Sequence, residues 1–216
     1  YPTIRFYKWL PSAVSVGYFQ SLKDEVNIQN CKELGIDIIR RRTGGGAVYH
    51  SNRGEITYSV IGPTKLFPKN IIESYQVICD WIILGLAKLG IKAEFSPIND
   101  IIVKGKKISG NAQTRRNNIL LQHGTILFDV DVDKMFSVLN VPDEKIKDKL
   151  IKDVKERVTR VLDFKKVDAQ KTYEALLDGF TKDKSFEYGD LTEVELLRAK
   201  ELVRERYSKD DWNYMK

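Results

Sequence analysis

Residues 70–89 constrain the fold of this chain more than any other stretch. Ile71, Tyr75, Ile78, Ile82, Leu86 and Leu89 recur at three- and four-residue steps, the period of one helix face. Asn70 stands where an N-cap side chain belongs, and Gly90 where a C-terminal stop does. The segment is apolar over so much of its surface that it implies burial against a sheet.

Strand patterns lie on both sides of this helix. Residues 4–9, 13–19, 36–41 and 55–61 read as strands, with Pro11-Ser12, Gly35 and Gly62-Pro63 as breaks and a short helix over 25–34. Residues 100–103, 107–112 and 119–128 follow it, with Gly105 and Asn117-Asn118 as turns. From residue 131 the texture changes to charged helices, expected over 142–155, 168–180 and 191–206. Sheet first and helices later predict an α+β fold: one domain over 1–216, with a sheet-rich core at 1–130 and a helical part at 131–216. The chain opens on Tyr1 inside a strand-like run, so a further N-terminal segment is expected.

Composition excludes several classes. With 216 residues, 42% of them hydrophobic, the chain can bury one sizeable core. Two cysteines make no disulfide framework and favour a reducing, cytoplasmic setting. Two histidines rule out a multi-histidine metal site. The longest apolar run, 77–89, is broken by Asp80 and Lys88, so no membrane span is expected. A formal net charge of +6 suits nucleic acid, a phosphorylated ligand or an acidic protein, and separates none of them.

Two stretches carry chemistry. The first is RRRTGGGAVYH, Arg40 to His50. It contains neither the P-loop string nor the dinucleotide-binding fingerprint, and residues 47–49 read as strand where both motifs need a helix. Glycines without Cβ atoms let backbone approach a ligand closely, and arginine forks suit phosphate or carboxylate. A tight hairpin turn beside a solvated arginine cluster explains the loop equally well. Alternation sets Arg40 and Arg42 opposite Arg41, so one or both are expected to face solvent.

The second stretch, NDIIVKGKKISGNAQTRRNNILLQHG, runs from Asn99 to Gly124. Alternation puts Lys107 and Ser109 on one face and Ile108 on the other; Lys104 and Lys106 read as solvated. Further on, Asp129, Asp131 and Asp133 fall at a strand end and helix start, where N-capping explains them better than a metal does. His123 is open to a catalytic or a structural reading.

Together the two stretches resemble the lipoate–protein ligase family, within the larger group of biotin and lipoyl ligases and octanoyltransferases. The resemblance rests on Arg40 to His50, on Asn99 to Ile101 with Gly105 to Ala112, and on the HG stretch from His123 to Asp131. It extends over residues 4–163 and more faintly through YSKDDWN, Tyr207 to Asn213. It implies a mixed, largely antiparallel sheet flanked by helices, akin to class II synthetase domains.

The resemblance also implies ATP-dependent ligation. A lipoate carboxylate attacks the α-phosphate of ATP, and a lysine amine of an acceptor domain then takes the acyl group from the adenylate. ATP, Mg²⁺ and lipoate are the implied ligands. Lys107 would bridge carboxylate and phosphate, acting as a charge rather than a nucleophile. Arg41, Thr43, Gly44, Gly45, Gly46, Ala47, Val48, Tyr49 and His50 would hold ATP and lipoyl-AMP, with Asn99 and Asp100 at the nucleotide end and Asp100 near Mg²⁺. The implied acceptors are lipoyl domains of 2-oxoacid dehydrogenase E2 subunits and the glycine-cleavage H protein. A separate accessory subunit is expected as a partner.

The nearest rival is an octanoyl- or lipoyl-transferase that works without ATP through an acyl-cysteine. Its cysteine belongs just before the Asn-Asp pair, where this chain has Glu94-Phe95-Ser96-Pro97; the missing thiol favours the ligase. Biotin ligation fits the loop less well. A nucleic-acid-binding module would need stacking aromatics or a basic helix that the RRR and TRR clusters do not supply.

Overall fold

A computed structural model of the chain describes residues 1–140, 152–153 and 155–215. Among these described residues nine strands form two sheets. In the larger, β1 (Thr3–Tyr7), β5 (Glu55–Pro63), β9 (Ile119–Leu127), β8 (Lys106–Arg116), β7 (Asp100–Val103) and β6 (Glu94–Ser96) lie side by side in that order. Every neighbouring pair in it is antiparallel. In the smaller, β2 (Ala13–Val16) pairs parallel with β3 (Asp37–Arg40) and antiparallel with β4 (Val48–His50). The fold is thus α+β with an antiparallel six-stranded sheet flanked by helices.

The long helix forms as its pattern predicts, over Ile71–Lys88. The Asn70 side chain accepts from Ile72 N and Glu73 N, answering two of the orphan donors of the first turn. Tyr75, Ile78, Cys79, Ile82 and Leu86 are buried along one stripe. All of these but Tyr75 join Tyr58, Val60, Ile101, Ile108, Leu120 and Ile126 of the sheet in one core. The helix Ala169–Thr181 adds Leu176 and Phe180 to it, with Phe180 edge-on to Phe6 at 5.1 Å. Each fully buried aliphatic side chain here contributes about 1.5–3 kcal/mol.

Several elements differ from expectation. The helix expected over 25–34 is two short ones, Leu22–Glu25 and Ile28–Glu33. Val26 between them bridges to Leu139, and Asn27 caps the second by accepting from Asn30 N. The strand β6 is not expected; at three residues it is too short for a period to declare itself. The helix start expected at the Asp129 to Asp133 stretch is the seven-residue helix Val132–Val138. Of the helix expected over 142–155, only 152–153 and 155 lie within the described residues, and these are helical. The last expected helix is Glu193–Leu202, continued by a wider turn at Val203–Tyr207, and none of its ten residues is buried. No helix among the described residues is long and apolar enough to cross a membrane.

Candidate active site

The glycine loop joins β3 to β4 across the end of β2. Backbone bonds from Tyr18 N to Thr43 O and from Arg41 N to Val16 O tie it to the turn after β2. A Cβ on Gly17 would stand 2.0 Å from the Gly45 carbonyl oxygen, and Gly45 has a φ of +94°. The backbone of the neighbouring turn is therefore what lies against this side of the loop, and both glycines are needed for that approach. Gly46 is exposed with open space where a side chain would be.

The three arginines have three different settings. Of the two arginines set opposite Arg41, Arg42 is the one that faces solvent, while Arg40 is 1% exposed. Its guanidinium donates to six carbonyls: Gly17, Tyr18 and Gln20 in the turn, and Trp212, Asn213 and Met215 near the C-terminus. Trp212 Nε1 donates back to the Arg40 carbonyl, so a short C-terminal helix, Asp210–Asn213, is pinned beside the loop. Arg41 turns inward: Nη1 donates to Ser15 O and Oγ, and Nη2 to the Gly44 and Gly46 carbonyls. Burial lowers its pKa to about 10. Arg42 alone is exposed.

Thr43 carries the loop onto the large sheet, where its Oγ1 is hydrogen-bonded to His123 Nε2 at 2.7 Å. His123 sits opposite Ala112 in the β8–β9 register, and Thr125 sits opposite Gly110. Burial, with Arg41 and His50 nearby, lowers the His123 pKa to about 4, so its ring is neutral at ordinary pH and cannot serve as a cationic acid. Along the same face, Asp100 is paired with Gly110 in register. Lys107 Nζ meets Asp100 Oδ1 at 2.7 Å, with side chains 41% and 33% exposed. Loop and lysine thus share one face of the sheet, on which Gly110 and Ala112 leave the floor bare. The helices cover the other.

A bulge between Ile101 and Ile102 corrects the simple alternation expected around Lys107. Ile108 joins the core under the long helix, and Asn111, three residues on, also faces that helix through Cys79. Asn111 is a hub: its Oδ1 accepts from Tyr58 Oη, and its Nδ2 donates to the Asn99 carbonyl. Asn99 therefore braces the strand behind Asp100. Tyr49 and His50 are buried, with the His50 ring turned to Ser15 and Glu55. Sequence reasoning did not single out Ser15, Gly17 or Glu55; the polar alternate positions Glu55, Thr57 and Ser59 of β5 were the available signal.

Neither cysteine is an available nucleophile. Burial pushes Cys31 up to about 11 and, with Asp80 and Asp100 adding to it, Cys79 up to about 12. Both thiols stay protonated, and the thiolate is the reactive form. Among the described residues no group of three or more His, Cys, Asp or Glu could hold a metal. Asp131 caps the helix Val132–Val138, while Asp129 and Asp133 pair with Arg160 and Lys155. These pairs line a recess of about 750 Å³ beside Val103, and none of the expected site residues lines it. In the TRR cluster Arg115 donates to the Pro68 and Lys69 carbonyls, while Arg116 is exposed.

A small parallel–antiparallel sheet thus carries the glycine loop onto the face of the larger sheet that also bears Lys107. The chain belongs to the lipoyl protein ligase A/B catalytic domain family, whose model matches residues 1–181. It is 36% identical to octanoyltransferase LipM of Brevibacillus brevis, over 98% of this chain and 87% of that protein. The bi-partite lipoate protein ligase of an archaeal lipoylation system, from Thermoplasma acidophilum, superposes with a TM-score of 0.92 at 35% identity, covering 99% of this chain and 84% of that one. A lipoate-protein ligase A bound with ATP superposes at 0.85 with 33% identity, covering 99% and 85%.

These findings correct the expected activity. Curated relatives 32–36% identical across nearly the whole chain carry the name octanoyltransferase, which describes transfer rather than ATP-dependent ligation. ATP accompanies the similar lipoate-protein ligase A structure, whereas the octanoyltransferase name of the curated relatives does not call for it. Its error has a chemical source. The absence of a thiol at 94–97 excludes an acyl-cysteine there; it does not exclude transfer, because a thioester is already activated towards an amine.

Proposed function

We propose that this chain transfers an octanoyl or lipoyl group from a thioester donor to the ε-amine of a lysine on a lipoyl-acceptor domain, without ATP. The observation that carries the reading is the octanoyltransferase name shared by relatives of about one-third identity over the chain's full length. The acceptors it fits are E2 lipoyl domains and the glycine-cleavage H protein. The two free, buried cysteines suit a cytoplasmic setting.

In this reading the acceptor amine attacks the thioester carbonyl. A C–N bond forms, the C–S bond breaks, and the thiolate leaves with the proton that the nitrogen gives up. Lys107 is the catalytic residue: its ammonium offers charge to the oxyanion of the tetrahedral intermediate, and exchanging Asp100 for that oxyanion costs little at a half-exposed pair. The loop from Thr43 to Val48, braced by Arg41, forms the opposite wall, and Asp100 and Asn99 hold the lysine's strand. With Cys31 and Cys79 buried, the acyl group passes directly between donor and acceptor, both bound at once.

The test is to mix the chain with an octanoyl thioester and an acceptor lipoyl domain in the absence of ATP, and to follow the acceptor by mass spectrometry. Gain of one octanoyl amide supports the reading. Amide formation only when ATP and a free acid are supplied overturns it. The bi-partite ligase among the similar structures supports a second polypeptide as partner; full turnover by the isolated chain would remove that partner from the proposal.

A further inference from the structure

Between the two sheets runs a string of hydrogen bonds that ends on a buried carboxylate. Arg41 Nη1 reaches Ser15 Oγ at 3.0 Å, Ser15 Oγ meets His50 Nε2 at 2.8 Å, and His50 Nδ1 meets Glu55 Oε1 at 2.8 Å. From the other side Trp9 Nε1 donates to Thr57 Oγ1 at 3.0 Å, and Thr57 Oγ1 donates to the same Glu55 oxygen at 2.8 Å. Trp9 also stacks on the His50 ring, with centroids 4.3 Å apart. Ser15 and Glu55 are each 1% exposed and His50 4%.

One arrangement of protons leaves every donor in this string with an acceptor. A guanidinium only donates, so Ser15 Oγ accepts from Arg41, and the hydroxyl hydrogen then finds its acceptor in His50 Nε2. Nε2 then has no proton, Nδ1 carries it, and Glu55 receives two donors on one oxygen. A doubly protonated ring would leave the Ser15 hydrogen without an acceptor. Serine, histidine and glutamate in this order resemble a hydrolytic relay, but Ser15 is buried and already accepts from Arg41, so it has no path to a substrate.

We propose that Glu55, His50 and Ser15 are positioning residues that fix the Arg41 guanidinium, and through it the carbonyls of Gly44 and Gly46, in the geometry of the transfer site. Arg41 is desolvated, and Glu55 is the one carboxylate in the string among the described residues. The other Glu55 oxygen is buried and accepts no hydrogen bond, so the carboxylate's hydrogen bonds all converge on the oxygen that faces this string. A buried charge with no partner is costly, whereas one joined by fixed donors is held in place. Orientation in the string passes from the carboxylate to the tautomer, from the tautomer to the hydroxyl, and from the hydroxyl to the arginine that braces the loop.

The kinetic part of this proposal rests on the transfer reading; its spectroscopic part does not. In nitrogen-15 spectra of the full chain at neutral pH, His50 should be neutral with its proton on Nδ1. In Ser15→Ala the signals of both His50 and the Arg41 guanidinium should move. A proton on Nε2, or movement of one residue without the other, overturns the string whatever the reaction proves to be. In the transfer assay Ser15→Ala should raise KM for the acyl thioester about tenfold, the worth of one hydrogen bond to a charged group, with kcat little changed. Added to Arg41→Met, the same substitution should have no further effect. Glu55→Gln, which keeps the accepting oxygen and removes the charge, should show the same dependence on Arg41 if Ser15→Ala folds poorly. Effects that multiply with that of Arg41→Met in either variant would overturn the positioning role.

Discussion

On the helix-covered face of the six-stranded sheet, Tyr58, Gln122 and Asn111 are polar groups that satisfy one another in the dark of the core: Gln122 Nε2 donates to Tyr58 Oη, and Tyr58 Oη to Asn111 Oδ1. On the opposite face Asp100 and Lys107 satisfy one another in the open. Both faces are built by the same strands, residue by residue in alternation. A buried ladder is costly to break, so the first set fixes the register of the sheet. A half-exposed ion pair is worth little, so the second can exchange its partner for a ligand. Rigidity is placed on one side and exchangeable charge on the other.

The largest test of this division is Lys107→Ala. Removing a preorganised charge from the transition state should lower kcat on the order of 10²–10³ fold. Thermal stability should barely change, because the pair is half-exposed. A fall in stability with activity retained would place Lys107 on the structural side instead.

The reciprocal test is Ile82→Ala. Ile82 is fully buried on the inner stripe of the long helix, and truncation of such a side chain should cost about 3 kcal/mol in a denaturant titration. The folded variant should keep the wild-type KM for the acyl thioester. A shift in KM would mean that the two faces are coupled through the sheet.

His123 lies on the site face and supplies a pH dependence. Its folded pKa is about 4, against an ordinary value of about 6.5. Between those values the unfolded chain binds the proton and the folded one does not. Stability is therefore fully present above about pH 6.5 and declines as the pH falls towards 4, by about 3 kcal/mol in all. His123→Gln, which can still bond to Thr43, should flatten the stability profile in that window. A profile as steep in the variant as in the parent would assign the acid sensitivity to other groups.

Alternation made the helix-covered face legible from the sequence, and the long helix made it nearly complete: Ile78, Ile82 and Leu86 announce their burial by spacing alone. The site face was legible only in pieces. RRRTGGGAVYH marked the loop, yet nothing local distinguishes Arg40, whose partners lie more than 170 residues away at Trp212 and Asn213, from exposed Arg42. Glu55 reads as an ordinary polar position of an edge-patterned strand until β2 and β4 are folded over it. The activity was misjudged for a related reason. A missing cysteine can be read in a sequence, whereas direct transfer between two bound partners leaves no residue of its own to read.

Gly110 is where the two faces come closest to interfering. A Cβ at this position would lie 2.8 Å from both Cε and Nζ of Lys107, and 3.7 Å from Asp100 Oδ1. Those atoms are the far end of a flexible side chain, so the chain can yield without disturbing the strand, and the ammonium is what moves. Gly110→Ala should therefore leave the denaturation midpoint near the parent's. It should lower kcat about tenfold, less than removal of the ammonium does, because the charge is displaced rather than lost. In a Lys107→Ala background the same substitution should change nothing further. An equal loss with and without Lys107 would show that the bare floor of the site, rather than the position of the ammonium above it, is what the reaction requires at Gly110.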